Sequence, residues 1–241
     1  MILLAALSLV LQAPAPASPA VIREQIACAP RSLAAPPLDR MRVAGSAVHG
    51  RLMFAPGDAV IVNAGRAQGV QSGQQYYVRR YIHDRFTPVS LDFQPYSIHT
   101  AGWLTIVDAK DTMSIAQITH ACDGILEGDF LEPYVEPVEP APALGGEPDF
   151  EHPGRIVMAD ERRQMGFEGL VMILNRGTDH SVRAGQTVTI YRETMSGRGP
   201  IIDVGRATVL TVGPQLSLIR IDSSHEPVYV GDLAAINRLA R

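Results

Sequence analysis

The sequence predicts an all-β protein built as two tandem small β-barrels of five to six strands each, behind a signal peptide. Three observations predict it. The chain repeats itself in two long blocks. Apolar residues alternate with polar ones at period two, the mark of half-buried strands. Gly-Asp or Gly-Gln recurs just before apolar runs, at Gly57-Asp58, Gly73-Gln74, Gly128-Asp129, Gly185-Gln186 and Gly231-Asp232. Glycine supplies the positive φ of a turn, and Asp or Gln bonds back to the turn backbone as the next strand begins.

The repeat defines the modules. Val60–Arg80 aligns with Met172–Arg192 at an offset of 112, bringing Asn63 onto Asn175, Gly65 onto Gly177 and Arg80 onto Arg192. Gly102–Leu131 aligns with Gly205–Ala234 at an offset of 103, bringing Gly128-Asp129 onto Gly231-Asp232. The drop of nine places an insertion in the first copy, between Gln75 and Ala101. Residues 1–20 read as a signal peptide, 21–39 as a lead-in, 40–134 as module 1, 135–153 as a linker and 154–241 as module 2.

In chain order, module 1 has strands at Asp58–Asn63, Gln74–Ile82, Trp103–Asp108, Met113–Thr119 and Asp129–Pro133. A short strand is expected near Arg51–Phe54. Module 2 has strands at Gly169–Leu174, Gln186–Arg192, Val204–Leu210, Leu216–Asp222 and Asp232–Asn237. So many short strands in under 100 residues suit a closed barrel, because closure removes the edges. No helix longer than a turn or two is expected.

Ile2–Leu11 is an apolar run of ten, too short to span a bilayer and suited to the h-region of a secretory signal. Ala-x-Ala sites follow, with cleavage expected between Ala15 and Ala20. No later segment reaches the ~18 apolar residues of a membrane helix, so a soluble protein, periplasmic or secreted, is expected. In an oxidising compartment Cys28 and Cys122 read as a disulfide tying the lead-in to module 1. Two free thiols and a lipid-anchored Cys28 remain the alternatives. The stretch that leads out of module 1 and through the linker carries Pro133, Pro137, Pro140, Pro142, Pro148 and Pro153 among acidic residues. It reads as a semi-rigid polyproline spacer.

The run Gly-Asp-x-Val-x-(Ile/Val)-x-x-Gly-x-x-x-Gly-Val-x-x-Gly-Gln spans Gly57–Gln74; Gly-x-Leu-Thr-Ile-Val follows from Gly102, and Leu-Glu-Gly-Asp ends at Asp129. This pattern resembles the small β-barrel domain at the C-terminus of flagellar assembly protein T. It also resembles the C-terminal domain that accompanies LysM modules in exported bacterial proteins. The barrels are then SH3-like or similar. The resemblance implies an envelope protein of binding or scaffolding type, and it brings no catalytic residues.

Net charge is −4, so charge does not favour nucleic acid or anionic lipid as a partner. The seven His show none of the short spacings of a zinc site, so no metal and no cofactor are expected. Asp179-His180-Ser181 has the letters of a triad, but neighbours in an extended chain point to opposite faces. No catalytic residue is assigned, and the protein is read as a non-enzyme.

Aromatic residues are unevenly spread. Seven of the 14 lie within residues 76–103: Tyr76, Tyr77, Tyr81, Phe86, Phe93, Tyr96 and Trp103. Module 2 has Val188, Thr189 and Arg206 at the places of Tyr76, Tyr77 and Trp103. Aromatic faces anchor protein interfaces and stack on sugars. They equally serve as cover for a barrel, and one of the consecutive Tyr76 and Tyr77 must face inward. The leading expectation is an exported, non-enzymatic envelope protein that binds or scaffolds a protein partner through this cluster. The alternatives are a peptidoglycan- or glycan-binding module, an envelope hydrolase, and a homo-oligomer joined through exposed barrel edges.

Overall fold

A computed structural model describes residues 19–33, 41–46, 50–82, 96–143, 145–159, 163–194 and 199–238. All but the last two residues of the expected signal segment, 1–18, therefore lie outside the described residues, and Pro19 and Ala20 begin a helix. The lead-in forms α1 (Pro19–Cys28) and β1 (Arg31–Leu33). Module 1 comprises β2 (Val43–Ser46), β3 (Met53–Phe54), β4 (Ala59–Val62), β5 (Gln75–Ile82), β6 (Tyr96–Ala109), β7 (Ser114–Ala121), β8 (Ile125–Leu126) and β9 (Phe130–Pro133). Module 2 comprises β10 (Gly154–Ala159), β11 (Met165–Gly166), β12 (Val171–Leu174), β13 (Thr187–Glu193), β14 (Ile201–Val212), β15 (Ser217–Ser224), β16 (Val228–Tyr229) and β17 (Leu233–Ile236).

The all-β class holds. Module 2 is a closed six-stranded barrel in the order β10-β12-β15-β14-β13-β17. Module 1 repeats that order as β2-β4-β7-β6-β5-β9, with β1 added as a seventh strand on β6. Its two ends meet at the Arg42–Phe130 bridge, flanked by backbone bonds between Val43 and both Gly128 and Asp129 and between Leu131 and Met41. The sheet is thus curled round on itself. The inward residues of the alternating strands fill each interior, Val60, Val62, Leu104 and Ile118 in module 1 and Met172, Leu174, Ile190 and Ile219 in module 2.

The shared residues of the repeat turn out to be paired with each other. Asn63 accepts the backbone N–H of Arg42 at 2.7 Å, and Asn175 accepts that of Arg155 at 2.6 Å. Gly65 and Gly177 each open a single 3₁₀ turn packed against the hairpin beyond β6 or β14. A Cβ there would strike the Lys110 carbonyl in one copy and the Gly213 carbonyl in the other. Arg80 forks onto the buried carboxylate of Asp129, with both bonds at 2.7 Å; Arg192 does the same to Asp232 at 2.7 and 2.8 Å. Each Asp also accepts the backbone N–H three residues before it, Leu126 or Tyr229.

Three expectations are corrected. First, the lead-in contains a ten-residue helix. Its sequence PAVIREQIAC opens on proline at the first helical position and is followed by Pro30, the usual start and stop signals. Second, the lead-in, expected to be tied to module 1, also packs on module 2. Ile26 and Ala29 pack on the outer face of module 2, against Val157, Val171, Ile173, Leu216 and Leu218. Gln25 donates to the Gly169 carbonyl at 3.2 Å. On its other side α1 is joined to module 1 by the Cys28–Cys122 disulfide and by Glu24, 3.2 Å from His120. The helix is a wedge held by both barrels.

Third, the linker is not a spacer along its whole length. Pro148 bridges Asn237, Asp149 donates its N–H to Ile236, and Arg238 donates to Glu147, so the second half lies along β17. Phe150 sits edge-on to Tyr191 with ring centroids 5.1 Å apart. Polyproline and β backbones have neighbouring φ values, and an edge tolerates the missing proline N–H. The Arg238 guanidinium, 2.9 Å from Asp149, holds that carboxyl down to about 2. A carboxyl depressed in the folded state stabilises it above the ordinary value and ceases to as pH falls through the folded value. The pair's contribution should therefore fade as pH falls from about 4 to about 2, loosening a segment that its backbone bonds also hold. Pepsin cleavage within 145–153, normalised to an unstructured substrate, should be faster at about pH 2 than at about pH 4, and Arg238→Ala should remove most of that difference.

Candidate functional site

The aromatic asymmetry resolves into a ladder on the outer face of module 1. Side chains at i, i+2 and i+4 of a strand share one face. Tyr77, Arg79 and Tyr81 of β5 therefore meet Phe130 and Glu132 of β9 and Tyr134 just beyond it. Tyr77 lies 4.7 Å from Tyr134, and Tyr81 stacks on Phe130 at 4.7 Å. Between these pairs Arg79 lies 2.7 Å from Glu132. Across the sheet the row continues from Tyr77 to Trp103 of β6, edge-on at 6.4 Å, and to His120 of β7, stacked on Trp103 at 4.1 Å.

Arg79 is almost fully buried. Burial pushes its guanidinium down to about 10, against the pull of Glu132. Its charge is held by Glu132, its Nη1 donates to Thr100, and the Tyr77 ring centroid lies 4.3 Å from its Cζ. Glu132 also takes Arg31 of β1 at 2.8 Å, and the Thr100 hydroxyl donates to the Ala29 carbonyl at 3.0 Å. The ladder is thus the surface that receives the lead-in.

The predicted residues divide accordingly. Tyr76 is in the barrel core, its hydroxyl donating to Gln74, and it is not part of a contact surface. Tyr77 faces outward but is buried, donating its hydroxyl to the Val135 carbonyl at 2.8 Å. Trp103 and Tyr81 are half-buried in the ladder. Tyr96 opens β6 opposite Leu33 of β1. Phe86 and Phe93 lie outside the described residues. Tyr134, His120, Arg79 and Glu132 were missed, although the two i, i+2, i+4 series, 77/79/81 and 130/132/134, are legible in the sequence.

Beside Tyr77 and Arg79 a cleft of about 740 Å³ opens between the barrels. Ala29, Val135, Val138 and Leu216 line it together with them. Val135 and Val138 project from the linker and are largely exposed. The cleft is mostly apolar, with Arg31, Glu136 and Gln215 among its polar lining, and its buried cation Arg79 is neutralised by Glu132, which suits a largely apolar occupant. Among the described residues, two groups of metal-ligating types converge. In one, the sulfurs of Cys28 and Cys122 beside His120 are bonded to each other. In the other, Asp149 and Glu151 beside His152 are engaged by Arg238. No described helix is long and apolar enough to cross a membrane.

No family model matches this chain, and no curated protein matches it in sequence.

Proposed function

We propose that this is an exported, non-enzymatic protein of the cell envelope that binds or scaffolds other proteins. The observation that carries the reading is the way the two barrels are joined. The disulfide, α1 and the docked linker together set their spacing. An apolar cleft stays open between them. A disulfide supports an oxidising compartment, and a fixed spacing with an apolar cleft supports a partner held between two modules. The resemblance to flagellar assembly protein T and to LysM-associated barrels points the same way.

The test is photo-cross-linking from Val138 in envelope fractions, together with fractionation of the cells. Recovery of defined protein partners, weakened by Trp103→Ala, is the expected result. Accumulation in the cytoplasm would overturn export. Retention on purified, protein-free sacculi would move the assignment to a glycan-binding module.

A further inference from the structure

The repeat offers an internal comparison of one surface in two states. In module 2 the outer face of β12, β14 and β15 carries Val171, Ile173, Leu210, Leu216 and Leu218, all buried beneath the lead-in. The repeat offsets place Ala59, Ile61, Val107, Met113 and Ile115 at the same positions of module 1. The strand registers agree. Ile61 pairs with Ile115 as Ile173 pairs with Leu218, and Val107 sits at the same register shift as Leu210. Every one of these module 1 residues is apolar, yet the face is open. Val107 is 58% exposed, Met113 51% and Ile115 38%, where their counterparts are 3%, 9% and 5%.

We propose that this outer face of β4, β6 and β7 is a docking site for a short apolar segment of a partner protein. The segment is seated as Ile26 and Ala29 are seated on module 2. The inference rests on the protein-binding reading above and gives that binding a second location. Two arguments fix the kind of occupant. The first is size. The apolar face offers four or five side chains, whereas a stable dimer takes about 20–30 residues and ~800 Å² from each partner. The face fits one segment, as its counterpart does. The second is charge. The neighbouring hairpin charges are already paired, Lys110 with Asp108 at 2.6 Å and Arg66 with Asp111 at 3.4 Å. The rim therefore asks no charge of the segment's central residues, and Ile26 to Ala29 carries none. On module 2 the tethered lead-in outcompetes any free segment, since attachment gives it an effective concentration on the order of millimolar.

The probe is a fluorescein-labelled synthetic peptide of residues 19–31 carrying Cys28→Ser, titrated with the oxidised full chain and followed by anisotropy. Saturable binding is expected, with half-saturation between about 10 and 100 µM. Val107→Asp and Ile115→Asp should each weaken it at least about tenfold, and a peptide carrying Ile26→Asp should not bind. Val107 is mostly exposed, so its variant keeps the fold, as circular dichroism would verify, even if the Ile115 variant does not. Absence of saturation at about 1 mM, or binding that survives Val107→Asp, overturns the docking site. Self-association of the chain that Val107→Asp abolishes also overturns it, assigning the face to a second copy. None of these failures touches the envelope cross-linking result, which tests the broader reading separately.

Discussion

Cys28→Ser is expected to lower the unfolding free energy by about 4–5 kcal/mol, the loop-closure value for a bond spanning this much chain. The two cysteines are 94 positions apart, and the loop they close holds β1 to β7. Cys122→Ser should give the same loss, and reductant should give it to the unsubstituted chain but not to either variant. Urea unfolding with and without reductant measures all three. The loss should also have a local signature. Without the bond, α1 keeps its packing on module 2 but is held to module 1 by non-covalent contacts such as Glu24–His120 alone, so trypsin should cut at Arg23 well before either barrel opens. An unchanged urea midpoint in Cys28→Ser would show that the wedge is held by packing alone.

Arg192→Ala should cost about 3 kcal/mol or more, and Arg80→Ala a similar amount, because each strands a buried carboxylate. Asp129 and Asp232 are 3% and 6% exposed, so water does not replace the lost guanidinium. The bidentate geometry makes the pair hard to imitate. Lysine restores the charge but not the fork, and Arg192→Lys should recover only part of the loss. In Asp232→Asn the side-chain oxygen still accepts the Tyr229 N–H, so Arg192→Ala/Asp232→Asn should be more stable than Arg192→Ala alone. A double-mutant cycle in urea reads the coupling directly. Coupling below about 0.5 kcal/mol would mean that the fork is only a surface pair.

The architecture was readable because it rests on local signals. Glycine turns and period-two alternation mark each strand within a few residues, and the repeat doubled the evidence for every one. What the sequence hid was pairing at a distance. Arg80 and Asp129 were both matched to their counterparts in module 2, yet nothing local says that they touch. The continuous apolar run Val171–Leu174 is buried on both faces. Such a run signals cover on the outside as well as a core within, but not that residues some 145 positions earlier supply the cover. The aromatic cluster was found by its density. Its role could not be read until the face shared by Tyr77, Arg79 and Tyr81 was seen to meet Phe130, Glu132 and Tyr134. The helix was obscured by its setting, since an alanine- and proline-rich stretch beside a secretory signal reads as a processing region.

The wedge has a consequence in time. Chains are made from the N-terminus, and domains fold in that order. Ile26 and Ala29 emerge long before Leu216 and Leu218, which they shield. Cys122 becomes available to Cys28 well before module 2 has been synthesised. The bond can therefore form first and park α1 beside the place where the second barrel will close. An apolar face completed later then finds its cover already waiting within reach, instead of a neighbouring molecule.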